Sequence, residues 1–112
     1  MKIIHMKRKI SIIGATILLS ACSGLSLTPE GEKVRILDPS EVSSCRELGK
    51  TNTSVTDSVV GVERPDDTIA KELRVIARNG AARMGGDTIV PLTVMEAGQQ
   101  TFVVYKCIDP DG

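Results

Sequence analysis

The sequence predicts an α+β domain: a small two-layer β-β-α-β-β unit with one helix packed on a mostly antiparallel sheet. Three observations predict it. Residues 66–84 carry Ile69, Leu73, Ile76, Gly80 and Met84 at spacings of three and four, flanked by Ala70, Ala77 and Ala81, which is helical periodicity. Short β-branched or alternating stretches lie on both sides, at 33–37, 45–53, 87–96 and 101–108. No internal repeat is present, so the order gives a single helix one small sheet to cover.

The N-terminus stands apart from this domain. Lys2, Lys7, Arg8 and Lys9 fall in a segment without acidic residues, and residues 10–21 are apolar except for Ser11, Thr16 and Ser20. A basic stretch followed by a short greasy one is the layout of a secretory signal. About 12 residues rise only about 18 Å as a helix, short of the roughly 30 Å hydrocarbon core, so a permanent span is disfavoured. Residues 23–32 contain Gly24, Pro29 and Gly31 with Leu25 and Leu27 as isolated apolar residues, and read as a tether. Ten residues reach at most about 33–36 Å.

In the domain, Val34 and Ile36 share one face of a short first strand that Asp38-Pro39 ends. The second strand, 45–53, has Leu48 as its strong apolar residue, and Gly49 invites a bulge. Residues 55–63 fit either a strand (Val59, Val60, Val62) or a loop (Asp57, Ser58, Gly61). Pro65-Asp66-Asp67 opens the helix, with carboxylates at its positive end, and Gly85-Gly86 closes it. Val90, Leu92 and Val94 alternate in the third strand; Pro91 cannot donate to a ladder and places that strand at an edge or at a bulge. Ala97-Gly98-Gln99 forms a turn, Val103, Tyr105 and Cys107 share a face of the last strand, and 109–112 is a polar tail.

Leu19-Ser20-Ala21-Cys22, directly after the apolar run, resembles the bacterial lipobox. The resemblance implies diacylglyceryl attachment to Cys22, cleavage before it, and acylation of the new amino group. Ser23, where an aspartate would favour inner-membrane retention, implies sorting to the outer membrane. The expected organisation is a signal peptide at 1–21, a lipidated N-terminus and tether at 22–32, a globular domain at 33–108 and the tail at 109–112. Loss of 1–21 leaves ten basic against fourteen acidic residues, a net charge of −4. An acidic domain with Phe102 and Tyr105 as its aromatics has neither the charge nor the stacking surface for nucleic acid.

Cys45 and Cys107 remain after the anchor, and in an oxidising envelope an even pair reads as a disulfide. A redox-active pair or two metal ligands are the competing readings. No CxxC is present, and the one histidine, His5, leaves with the signal peptide, so the structural bridge is favoured. The same loss of histidine removes Ser-His and Cys-His nucleophile pairs, and a non-enzymatic protein is expected. Asp66-Asp67 reads as helix capping and Gly85-Gly86 as a helix stop, because a phosphate cradle puts its glycines before a helix. Lys71, Arg74 and Arg78 read as a solvated basic face paired with Glu72 and Asp67, or as a surface for an acidic partner or a phosphate headgroup.

Val34-Arg35-Ile36, Cys45-Arg46-Glu47-Leu48-Gly49, the run from Ala77 to Val90 and Val104-Tyr105-Lys106-Cys107 together resemble the YjeI-like lipoproteins of Gram-negative bacteria. That resemblance implies a compact αβ domain, a Cys45–Cys107 bridge and no assigned activity. A more distant likeness, in Arg46-Glu47-Leu48-Gly49, the helix end at Met84 and the cysteine of the last strand, is to the outer-membrane stress-sensor lipoprotein RcsF. The present chain has two cysteines beyond the anchor where that sensor has four, and lacks its long proline-rich tether. Three classes of function follow: a structural or interaction lipoprotein of the outer membrane facing the periplasm, a stress sensor, and a small-ligand or metal-binding domain. The expected partner is the membrane, through acylated Cys22, with a further envelope protein unidentified; no cofactor is expected.

Overall fold

The computed structural model describes residues 25–111. The elements are β1 (Arg35–Ile36), β2 (Arg46–Ser54), β3 (Ser58–Val59), β4 (Val62–Glu63), α1 (Asp66–Arg83), β5 (Thr88–Pro91) and β6 (Gln99–Lys106), with 3₁₀ turns at Gly31–Lys33 and Pro39–Glu41. β1, β5, β6 and β2 form a four-stranded sheet in that order, and β3 and β4 form a separate hairpin. β1 pairs with β5 in parallel, while β5–β6 and β6–β2 are antiparallel. The architecture is therefore α+β with one helix on a mostly antiparallel sheet.

Chain direction explains how the sheet buries residues on both of its faces. β1, β2 and β5 all run the same way, so the β1–β2 and β2–α1–β5 connections are crossovers, and they travel across the sheet in opposite senses. Right-handed crossovers of opposite sense lie on opposite faces. On the α1 face, Ala77 and Ala81 meet Ile89, Phe102, Val104 and Val34, with Leu48 and Ala82 at the margin. On the other face, alternation places Val90 and Val103, both buried, and the β1–β2 connection carries the buried Val42. That second face is buried only in its middle: on β2, Lys50, Asn52 and Ser54 share it and are exposed.

The helix buries Ile69, Leu73, Ala77, Gly80 and Ala81, whereas Ile76 is half-buried and Met84 is exposed. The buried stripe is thus rotated toward the alanines from the one the spacing suggests. Small side chains at 77 and 81 let the helix axis approach the sheet, and the larger Ile76 moves to the flank. The helix ends in a Schellman motif: Gly86 N–H donates to Ala81 O (2.8 Å) and Gly85 N–H to Ala82 O (3.0 Å), with Gly85 at φ 85°. Gly86 is needed for a second reason. A Cβ there would stand 2.5 Å from Val104 Cγ1, inside contact distance.

β2 carries the bulge expected at Gly49, where the register with β6 shifts between Glu47 and Gly49. β5 is shorter than the alternation predicts and is central. Pro91 is tolerated because it falls where the β1–β5 pairing stops: the last bond is Leu37 N–H to Ile89 O, and the following rung is the one a proline cannot donate to. Leu92 and Thr93 then both donate to Thr101 O, a bulged arrangement, and the chain leaves the sheet. Val94 consequently lies in a loop and is exposed. The ambiguous stretch 55–63 resolves as the β3–β4 hairpin, turning through Val60 (φ 53°) and Gly61 (φ 79°).

Candidate functional site

Four places in the domain bear on function. Cys22, the lipidation residue expected from the sequence, lies outside the described residues. Cys45 and Cys107 are brought together with Sγ atoms 2.11 Å apart, a bonded pair closing a separation of 62 residues. They continue the β2–β6 ladder by one rung beyond Arg46 and Lys106. The bridge clamps the first residues of β2 to the end of the last strand.

Beside it, Asp87 organises the chain end. Its Oδ1 accepts from Cys107 N–H (2.8 Å) and Thr88 Oγ1 (2.9 Å), and its Oδ2 accepts from Ile108 N–H (3.0 Å). Burial pushes this carboxyl up, but the two backbone donors, the Thr88 hydroxyl and the Lys106 charge together outweigh it and hold it below the usual aspartate value. A folded-state pKa below the unfolded one means the stabilisation is complete above the unfolded value near 4 and is lost as pH falls through the folded value. Asp87→Asn keeps one acceptor and turns an NH₂ toward a backbone N–H. It is expected to cost about 1–3 kcal/mol at neutral pH and to flatten the acid limb of the stability–pH curve, both read by urea unfolding. An unchanged acid limb would remove Asp87 as its source.

The third place is a strap. Asn79 Nδ2 donates to Ser26 O (3.0 Å), and Asn79 Oδ1 accepts from Thr28 N–H (2.9 Å) and Thr28 Oγ1 (3.2 Å). Arg78 donates Nε to Val34 O (2.9 Å) and Nη2 to Glu32 O (3.0 Å). Gly31 is buried under this arrangement, and a Cβ on it would overlap Asn79 Oδ1. The segment read as a tether is bound along α1 from Ser26 onward. Arg78, read as part of a solvated basic face, is a clamp on main-chain carbonyls. Glu72 pairs with Arg64 (2.5 Å) instead of with a helix neighbour, the one ion pair among the described residues. No local pattern marked Asn79 or Arg78, because their partners lie 44 to 53 residues away.

The fourth place is an apolar end. Of the nine large hydrophobic residues exposed among the described residues, five lie here: Val59, Val60 and Val62 in the hairpin, Leu92 and Val94 in the loop after β5. Hairpin and loop flank a cleft of about 310 Å³ whose lining includes Asp57, Glu63, Arg64, Asp66, Ile69 and Met95. Val60 is 94 % exposed and sits at positive φ, which costs a β-branched residue about 1–2 kcal/mol. Asp66 and Asp67, read as caps, are instead the first two residues of α1: the N-cap is Pro65, no side chain caps the helix, and Asp67 Oδ1 accepts from Thr68 N–H (2.9 Å). Among the described residues no group of three or more His, Cys, Asp or Glu side chains is placed to hold a metal ion.

The features above define a class: a small disulfide-bridged α+β domain whose conspicuous surfaces are a docked strap and an exposed apolar end. Residues 25–107 match the family model described as a domain of unknown function, DUF4156, and the chain belongs to that family. The match starts one residue before the strap and ends on the second bridge cysteine. The chain is similar to the uncharacterized protein YjeI of Escherichia coli K12, 28% identical over 114 residues covering 92% of this chain and 97% of the relative. It has the same identity and coverage with the YjeI proteins of Escherichia coli O6:H1 and Shigella flexneri. No solved structure matches it.

Proposed function

We propose that the protein is a non-enzymatic lipoprotein of the cell envelope, held in the outer membrane through acylated Cys22 and facing the periplasm, where its domain contacts other envelope proteins. The observation that carries this is Leu19-Ser20-Ala21-Cys22 at the end of a basic and then apolar N-terminus. Two acyl chains anchor stably where one does not. The Cys45–Cys107 bridge supports the same reading, since such bridges persist in oxidising compartments. The apolar end supports a protein contact: five exposed apolar side chains gathered on two loops are unfavourable in water unless something covers them.

Labelled palmitate fed to cells is the test. Incorporation into the chain, abolished in Cys22→Ala, together with sedimentation in the outer-membrane fraction, is the expected result. A chain found in the cytosol with Met1 intact and freely alkylated thiols would overturn the proposal. A photocrosslinker in place of Val60 should yield protein adducts in intact envelopes and none when placed at Arg74.

A further inference from the structure

The strap has a consequence for how an anchored domain sits. We propose that Asn79 and Arg78, by holding Ser26–Val34 against α1, turn the flank formed by Leu25, Thr28, Glu30, Ala82 and Arg83 toward the phospholipid surface and turn the valine-bearing end away from it. The inference rests on the lipid-anchor reading above. Its partner is the headgroup layer of the bilayer that holds the acyl chains of Cys22.

The length of chain between anchor and clamp carries the argument. Four peptide units separate Cys22 from Ser26, the first residue that Asn79 holds, and they span at most about 14 Å. Without the clamp the free chain would run to Val34, and twelve units span up to about 41 Å. The strap thus converts a tether that permits any orientation into a short one attached to one side of the domain. Asn79 lies 13 residues beyond Asp66, about 20 Å along the helix, so the hairpin that precedes α1 stands at the far end from the attachment.

Surface chemistry points the same way. Leu25 is half-exposed, and Arg83 shares with Thr28, Glu30, Asn79 and Ala82 a shallow cleft of about 270 Å³ beside the attachment. Arg83 offsets Glu30 there, so this flank carries no net charge and offers an interface of acyl chains and phosphates an apolar side chain and a guanidinium. The opposite end lines its cleft with Asp57, Glu63 and Asp66 against one cation, Arg64, which is itself paired with Glu72, and anionic headgroups repel that net negative charge.

The experiment uses the full-length acylated protein in vesicles of phosphatidylethanolamine and phosphatidylglycerol containing a headgroup-nitroxide lipid. A fluorescent amino acid is introduced in place of Arg83 in one sample and of Val60 in another. Several-fold stronger quenching at position 83 is expected, and Asn79→Ala combined with Arg78→Ala should bring the two positions to similar quenching. Equal quenching in the parent protein, or stronger quenching at position 60, would overturn the orientation. A contrast that persists in the double variant would overturn the strap as its cause. Mass of the anchor peptide and flotation of the vesicles are read on the same samples. Unacylated protein that fails to float overturns the anchor and the orientation together, whereas acylated, floating protein with equal quenching overturns the orientation alone.

Discussion

Reduction of the Cys45–Cys107 bridge is expected to lower the unfolding free energy by about 4 kcal/mol, the chain-entropy value for a closed loop of this size. Against the 5–15 kcal/mol typical of a small domain, that is the difference between a folded and a marginal chain. Its position adds to the effect. The bridge closes the end of the sheet where β2 begins and β6 finishes, and Asp87 ties the neighbouring Cys107 and Ile108 amides to the start of β5. Cys45→Ala combined with Cys107→Ala, compared with the oxidised parent in urea, should shift the midpoint downward. The melting temperature should fall by more than about 10 °C. The single variants should lose the same stability while leaving an unpaired thiol. Coincident denaturation curves for oxidised and reduced protein would show that the bridge contributes no net stability.

Phe102→Ala is the second change with a large expected effect, about 3–5 kcal/mol. Phe102 is 1 % exposed and is the largest fully buried side chain, set among Val34, Ala77, Ala81, Ile89 and Val104. Its neighbours on α1 are alanines, which cannot extend into the space it leaves. The cavity would therefore persist, and the cavity cost adds to the lost transfer energy. With the bridge intact the variant should still unfold cooperatively at a lower urea midpoint. With the bridge reduced it should show no cooperative transition. A loss below about 1 kcal/mol would mean that the α1 face repacks freely, contrary to the close helix approach described above.

The elements legible in the sequence were those whose cause is local. The helix follows from its period and is bounded by Asp66 and by the glycine pair, whose capping bonds run within six residues. The bulge at Gly49 and the turn at Ala97-Gly98 are likewise settled by backbone freedom at one or two positions. Elements whose cause is distant were not legible. β5 stops at Pro91, although Val90, Leu92 and Val94 alternate, because Pro91 brings no donor and Thr101 O takes two consecutive amides, from Leu92 and Thr93, out of register. The parallel β1–β5 pairing depends on which edge the first strand reaches, which alternation within residues 33–37 cannot specify. The buried helix stripe is rotated for a similar reason: spacing identifies candidate faces, and the sheet selects the one bearing the smallest side chains.

Residue order alone was enough for the fold class, the helix and its glycine stop, the cysteines available for a bridge, and an N-terminal pattern that reads as an address. Each of these rests on covalent chemistry, on composition, or on hydrogen bonds between near neighbours. Long-range packing was needed to show that the chain from Ser26 is strapped to α1, that Arg78 is a clamp, and that five apolar side chains are left exposed on the hairpin and the loop after β5. Those outcomes require groups some fifty residues apart to be packed side by side, and the helix lying on its sheet is what brings them there.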